Sequence, residues 1–294
     1  MKTTYRTSIA ALIVVFFAVP IALSQPQLGK KKGPMSKLYL AESVGESQIT
    51  TDGRLYEAKQ ATAFDAPGTV LETKIDSHQA FVYSNGTGMY VDENTRVEVD
   101  RFVQEPFRPD RNTNTDIEPS ISQSDVFVAR GQVGICTGQM ISGSTMNYGT
   151  PHGGVNIRGG KVAVQTNEKE TTIYLLEGDV TVRGSGRDVG GTMLKPGEKA
   201  TIRPGPPGRP PTVTIAPIPK EMMSSLDDKV AVACNAKKTV SFETIEQKST
   251  FGPEGAPEVT GTPSPEPEIV ARPTTPTNPP VTVTVSLDRL GSDE

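Results

Sequence analysis

The chain reads as a mainly β protein: short strands stacked in a sandwich or solenoid-like array, one helix near the C-terminus, and a proline-rich tail. Three patterns predict this. Apolar and polar residues alternate through short segments from Lys37 to Arg203, the two-residue period of strands with one buried and one wet face. A unit of Gly, polar residue, Val, any residue, then Val or Ile occurs three times, at Gly131–Ile135, Gly160–Val164 and Gly178–Val182. Only Lys220–Ala236 sets apolar residues four apart, with Met222, Leu226, Val230 and Cys234 on one helical stripe.

The N-terminus comes first in the chain and sets the compartment. Residues 1–24 have the three parts of an export signal. Lys2 and Arg6 give the positive start, and the 15 residues Ile9–Leu23 are almost wholly apolar. Ala22 and Ser24 place small residues before a cleavage between Ser24 and Gln25. The apolar run is shorter than the ~20 residues of a comfortable membrane helix; an uncleaved N-terminal anchor is the alternative. The expected location is the periplasm or the exterior of a bacterial cell. Residues 25–36 form a loose leader whose Lys30, Lys31 and Lys32 make a local, solvated basic patch.

The β domain spans residues 37–203. Lys37–Leu40, Thr69–Lys74, Ala80–Tyr83, Met89–Val91 and Thr95–Asp100 read as its first strands. Ser84-Asn85-Gly86-Thr87-Gly88 is a turn, since Asn-Gly tolerates the positive φ of a tight hairpin. In Thr95–Asp100, Val97 and Val99 should face the core while Arg96, Glu98 and Asp100 face water. Residues 105–124 contain Pro106, Pro109 and Pro119 and lack apolar periodicity, so they read as an exposed polar insertion. The three glycine units follow, each taken as a corner that opens a new short strand. Lys199–Ile202 closes the block after a Pro196-Gly197 turn.

Residues 204–218 read as a proline-rich linker, and residues 219–251 as the helix with a short strand. Pro219 suits the first position of the helix, whose stripe should dock on the β core. Residues 252–294 are a Pro/Thr-rich tail, too polar to fold alone. It ends in a strand-like segment, Val281–Leu287, that can add to a sheet edge of its own chain or of a partner.

Chemistry is sparse. His78 and His152 lie outside any ligand-spaced motif and read as surface or loop residues, so no metal and no cofactor are expected. Ser142-Gly143-Ser144 is not a nucleophile elbow, and Gly184-Ser185-Gly186 is a turn, not a phosphate loop. Asp92, Glu93, Glu98, Asp100, Glu177 and Asp179 lie in or beside strands. A sugar-cleaving enzyme needs two such carboxylates facing across a cleft, usually with aromatic platforms, and this chain has no Trp. Asn85-Gly86-Thr87 also matches the N-glycosylation pattern, although the turn explains it. Cys136 and Cys234, in an oxidising compartment, form either a disulfide or two buried thiols. With a net charge of −4, the chain offers no basic face for nucleic acid.

Several of these segments together resemble a FecR-type domain. They are the Ser84–Gly88 turn with Met89-Tyr90-Val91, Thr95–Val99, Arg130-Gly131-Gln132-Val133, Tyr148–Pro151, Val155–Gly159, Leu175–Val182 and Leu194–Glu198. The resemblance covers residues 37–203. It implies an all-β, periplasmic, sensor-like module without catalytic residues. In iron-uptake regulators that module follows a cytoplasmic region controlling a sigma factor; here only the short signal precedes it, so direct sigma-factor control is not implied. The expected function is that of an exported, non-catalytic module that binds an unknown envelope protein or polysaccharide, touching the membrane only through its export signal. A carbohydrate-active enzyme or glycan-binding module is the alternative.

Overall fold

The computed structural model describes residues 36–107, 116–184, 190–246, 270–271 and 281–287, all within the unit Lys32–Glu294. The expected export signal, the cleavage expected between Ser24 and Gln25, and most of the proline-rich tail lie outside the described residues.

The chain begins with eight strands of modest length: β1 (Lys37–Val44), β2 (Ser47–Thr51), β3 (Arg54–Glu57), β4 (Thr62–Asp65), β5 (Thr69–Thr73), β6 (His78–Tyr83), β7 (Gly88–Val91) and β8 (Arg96–Gln104). Then come β9 (Ser122–Thr137), β10 (Thr145–Thr150), β11 (Gly153–Thr166), β12 (Thr171–Arg183), β13 (Thr192–Leu194), β14 (Glu198–Arg203) and β15 (Thr212–Pro217). Helix α1 (Lys220–Thr239) runs directly into β16 (Val240–Glu246), and β17 (Val270–Ala271) and β18 (Val281–Leu287) lie in the tail.

Strands β1–β15 form one continuous, open sheet folded over on itself. One layer runs β3-β2-β5-β8-β9-β10-β11-β12-β13, the other β4-β1-β6-β7-β9-β11-β12-β14-β15. Strands β9, β11 and β12 belong to both. Residues 122–130 of β9 pair in the first layer and residues 131–137 in the second. The changeover falls at residues 157–160 in β11 and 178–179 in β12, with register shifts on both sides of Gly159–Lys161.

The three glycine units sit at these bends. The sequence suggests that each glycine starts a new short strand; in the structure each lies within a long one and bends it. The apolar assignment within the units does hold. Val133 and Ile135, Val162 and Val164, and Val180 and Val182 all enter the core. Upstream of the bend, β9 buries even-numbered residues, Val126 and Val128, and downstream it buries odd ones. An inserted residue flips the side-chain parity of a strand, which lets a single strand keep its apolar side inward through the turn from one layer to the other.

The core between the layers is packed from both. Leu38, Phe81, Met89, Ile135 and Ile173 come from the second layer, and Ile49, Leu71, Phe102, Met146 and Tyr148 from the first. Val97 and Val99 point into it as expected, while Arg96 and Glu98 pair on the outer face. There, Arg130 and Arg96 both reach Glu72. The Arg130 hydrogen bond, opposed by partial burial, holds the Glu72 carboxyl below its ordinary range. A carboxylate depressed in the folded state stabilises the fold above its unfolded pKa and loses that contribution as pH falls through the folded pKa. Arg130→Ala is therefore expected to move the midpoint of acid unfolding to higher pH; an unchanged midpoint in a circular-dichroism pH titration would exclude the link.

The second layer is buried on its outer face as well, because α1 lies across it. Leu226, Val230 and Ala233 pack on Tyr90, Ala163 and Tyr174. Farther along, Ala236, Val240 and Phe242 pack on Tyr39, Ala80 and Val82. Double burial explains why β6 and β7 read as continuous apolar runs, not alternating ones. The helix comes so close that a Cβ on Gly88 would stand 2.0 Å from the Ala233 carbonyl oxygen.

Four sequence expectations are revised. Residues 212–217, assigned to the linker, form β15 and pair with β14. Strand β9 starts at Ser122, so residues 122–124 belong to it and not to the insertion. The expectation of an exposed insertion also fails at Glu118, which is 6 % exposed and accepts hydrogen bonds from Asn85 and Ser122; residues 108–115 lie outside the described residues. His152 lies in the β10–β11 turn but is buried, its Nε2 donating to the Asn167 carbonyl at 2.8 Å. The tail strand, for which two docking sites were open, pairs in parallel with β16 of its own chain, while β17 pairs antiparallel to β18.

Candidate functional site

The outer face of the second layer meets α1 along its central strands, and beside the glycine bends a cleft of about 890 Å³ opens between them. One wall is the helix stripe Asp227, Ala231, Asn235 and Lys238, spaced so that one side of α1 faces the opening, with Lys237 alongside. The other wall is backbone-rich: Thr137 at the end of β9 with Gly138–Met140 just after it, Arg158–Lys161 of β11, and Glu177–Asp179 of β12. At the bend, Gly160 has φ +110° and Gly178 has φ +101°. A Cβ on either would lie 2.0 Å from a backbone carbonyl of the other strand. The two strands cross at a distance only glycines permit.

Cys136 on β9 and Cys234 on α1 are joined by a disulfide at the edge of this cleft, with their Cα atoms 5.1 Å apart. The bond ties the helix wall to the sheet wall. A second tie lies one turn earlier on the helix, where the Lys229 ammonium pairs with the Asp92 carboxylate, which also accepts from the Tyr90 hydroxyl at 3.1 Å. Burial, followed by the negative charge of Asp92, pushes the Tyr90 phenol far above its usual range, so it stays a donor. Asp92→Asn removes the charge from a partly buried pair. It is expected to lower stability by about 1 kcal/mol, read as a shift in the urea midpoint.

Charge in the cleft is divided evenly by sign. Arg158, Lys161, Lys237 and Lys238 stand against Asp116, Glu177, Asp179 and Asp227. Lys161 and Glu177 neutralise each other at 3.1 Å. Among the described residues, no hydrogen bond or ion pair engages the side chains of Arg158, Lys237, Lys238, Asp179 or Asp227. Lys237 stands out because it is half-buried. Burial lowers the pKa of its ammonium from the usual lysine value, against the pull of Asp116. Perturbed groups in clefts are candidate functional residues on physical grounds.

The six carboxylates singled out in the sequence are dispersed. Asp92 is bound to Lys229 and Tyr90, and Glu93 accepts the Asp76 amide at 2.9 Å. Glu98 pairs with Arg96 on the far layer, and Asp100 lies near it, its carboxyl raised by burial and by Glu98 and Asp125. Only Glu177 and Asp179 line the cleft, from nearly adjacent positions on one strand, not across a gap from each other. The nitrogen of Asn85 is buried and donates to Glu118 and Ser122, so that residue serves the turn. His78 stacks near Tyr90 and contacts Glu42 at 3.2 Å, whereas His152 is held by Asn167. What sequence reasoning missed is the cleft itself. The one usable signal was the surface stripe of α1, where an acid and two lysines flank small residues.

No protein-family model matches the chain, and no curated protein matches it. Two crystal structures of a candidate anti-sigma factor from Parabacteroides distasonis ATCC 8503 align with 74% of this chain and with 98% and 97% of their own. Their sequence identities are 11% and 9%, and the TM-score is 0.37 in both cases. At that level of similarity neither function nor family follows, and the reading of this chain rests on its own residues.

Proposed function

We propose that this chain is an exported, non-catalytic β module that works by binding a protein or polymer of the bacterial envelope. The observation that carries the reading is the cleft beside α1: it is concave, it is lined by charges of both signs, several of which pair with nothing among the described residues, and its walls are fixed to each other by the Cys136–Cys234 disulfide. Preorganised walls reduce what binding costs in conformational freedom. The disulfide also fits a compartment where such bonds persist, which is where an export signal in residues 1–24 would send the chain. The FecR-type resemblance over residues 37–203 points the same way, to a sensor-like module.

The test has two parts. Sequencing the N-terminus of protein recovered from envelope fractions should give Gln25 as the first residue. Full-length protein used as bait on detergent-solubilised envelope should retain a defined component, and Lys237→Glu should release it. If the mature protein stays in the cytosol, or if no component is sensitive to Lys237→Glu, the reading fails.

A further inference from the structure

The charges on the helix wall of the cleft are arranged along its length, while Asp116 on the facing wall stands near enough to Lys237 to act on its charge. Asp227 and Lys238 lie on one helical stripe, 11 residues apart, both lining the cleft. At about 1.5 Å of rise per residue they stand roughly 16 Å from each other. Asn235 and Ala231 lie between them, and the facing wall at Gly159–Gly160 and Gly178 presents bare backbone. Lys237 adds a second cation at the Lys238 end.

We propose that the cleft binds a short extended peptide by its two charged ends, the free carboxylate on Lys237 and Lys238 and the free amine on Asp227. This rests on the binding reading above and names its ligand class. The arguments are charge and length. A simple anion would be drawn to the lysines but would leave Asp227 and Asp179 without partners, and a simple cation would do the reverse. A zwitterion satisfies both. Extended chain advances about 3.3–3.6 Å per residue, so four or five residues span the distance between Asp227 and Lys238. A cleft of about 890 Å³ lies within the ~300–1,000 Å³ typical of small-ligand sites. Two lysines in the last turn of a helix are accounted for in part by the helix dipole. That accounts for Lys238, which is exposed, but not for the half-burial of Lys237, which feels the charge of Asp116 yet forms no ion pair among the described residues. A carboxylate placed there replaces the water that the ammonium has given up.

The probe is tetra-L-alanine, with its C-terminal amide, its N-acetyl derivative and inorganic phosphate as comparison ligands. Each is titrated into the isotope-labelled, disulfide-intact full chain and followed by amide chemical shifts. Tetra-alanine is expected to bind in the millimolar range or tighter, moving the amides of Gly159, Gly160, Gly178 and Asn235. The amide derivative should bind at least about tenfold more weakly. Lys237→Met should abolish binding without lowering the melting temperature, since it removes a half-buried charge; a lysine kept for structure would lower it. Asp227→Asn should weaken tetra-alanine but leave the N-acetyl derivative unaffected. Equal affinity for tetra-alanine and its amide, phosphate binding as strongly as the peptide, or the absence of cleft shifts with all four ligands would each overturn the proposal. The envelope component retained in the bait experiment is a separate readout. If it still depends on Lys237 while tetra-alanine fails, the binding module stands and the peptide does not.

Discussion

Breaking the Cys136–Cys234 disulfide should lower the stability of the folded chain by about 3–5 kcal/mol. The bond closes a loop across 98 residues of sequence, and most of that gain comes from the unfolded state, which is denied the many conformations in which β9 and α1 are apart. For a chain of this size the corresponding fall in melting temperature is roughly 10 °C. Reduction and the Cys136→Ala/Cys234→Ala variant should agree, since the sulfurs have no other described partner. The order of events is also specified. Helix α1 is attached to the sandwich by one apolar stripe, the Lys229–Asp92 pair and the disulfide, whereas the two β layers share a large core. The helical signal in the far-ultraviolet should therefore melt ahead of the β signal in reduced protein and together with it in oxidised protein. A reduced protein that melts within about 2 °C of the oxidised one would show that the helix packing alone holds the seam.

The alternation of Val97 and Val99 with Arg96, Glu98 and Asp100 put each of these side chains on its observed face, because a strand with one wet side carries its orientation in its own sequence. The stripe of α1 likewise named the residues that dock. Strand β3 escaped notice for a physical reason. All four residues of β3 are exposed, Leu55 at 64 %, so nothing selects an apolar period there. Strand β15 escaped because Pro211 precedes it and Pro217 ends it, which reads as a linker; at a sheet edge, prolines at the ends of a strand are tolerated. In the glycine units the sequence contained the right residues with the wrong topology attached. A corner between two strands and a bend within one look the same over five residues, and only the pairing of β11 with both β9 and β12 distinguishes them.

The cleft was less legible than the fold. Its helix wall and its strand wall are separated by some fifty residues or more, and each wall alone resembles a solvated surface. Two cysteines were visible, but whether their Cα atoms came within bonding range depended on α1 crossing the second layer at the level of β9. That crossing depends in turn on Gly88 and Gly134, neither of which carries a side chain that would hold the helix off. The site was thus hidden in the absence of side chains, which alternation and motif searches do not detect.

The strand crossing at Gly160 and Gly178 gives the other large effect. Gly160→Ala or Gly178→Ala should each cost more than about 3 kcal/mol, combining an unfavourable positive φ with a forced backbone displacement. The comparison is Gly197→Ala. Gly197 also has positive φ, at +85°, but a Cβ there meets nothing within 4 Å, so only the conformational cost of about 1–2 kcal/mol remains. The double variant tests the geometry more sharply. A Cβ on Gly160 is directed at Glu177 and Gly178, and one on Gly178 at Gly159 and Gly160, so both substitutions push apart the same two backbones. Once the first has opened the crossing, the second should find room, and the double variant should cost less than the sum of the singles by about 1 kcal/mol or more. Urea unfolding of the four variants measures every quantity required. Strictly additive losses, or single losses no larger than that of Gly197→Ala, would mean that β11 and β12 do not pass within van der Waals distance at the bend. Because this crossing is also a wall of the cleft, any variant that folds with it opened should bind tetra-alanine more weakly while keeping both cysteines joined.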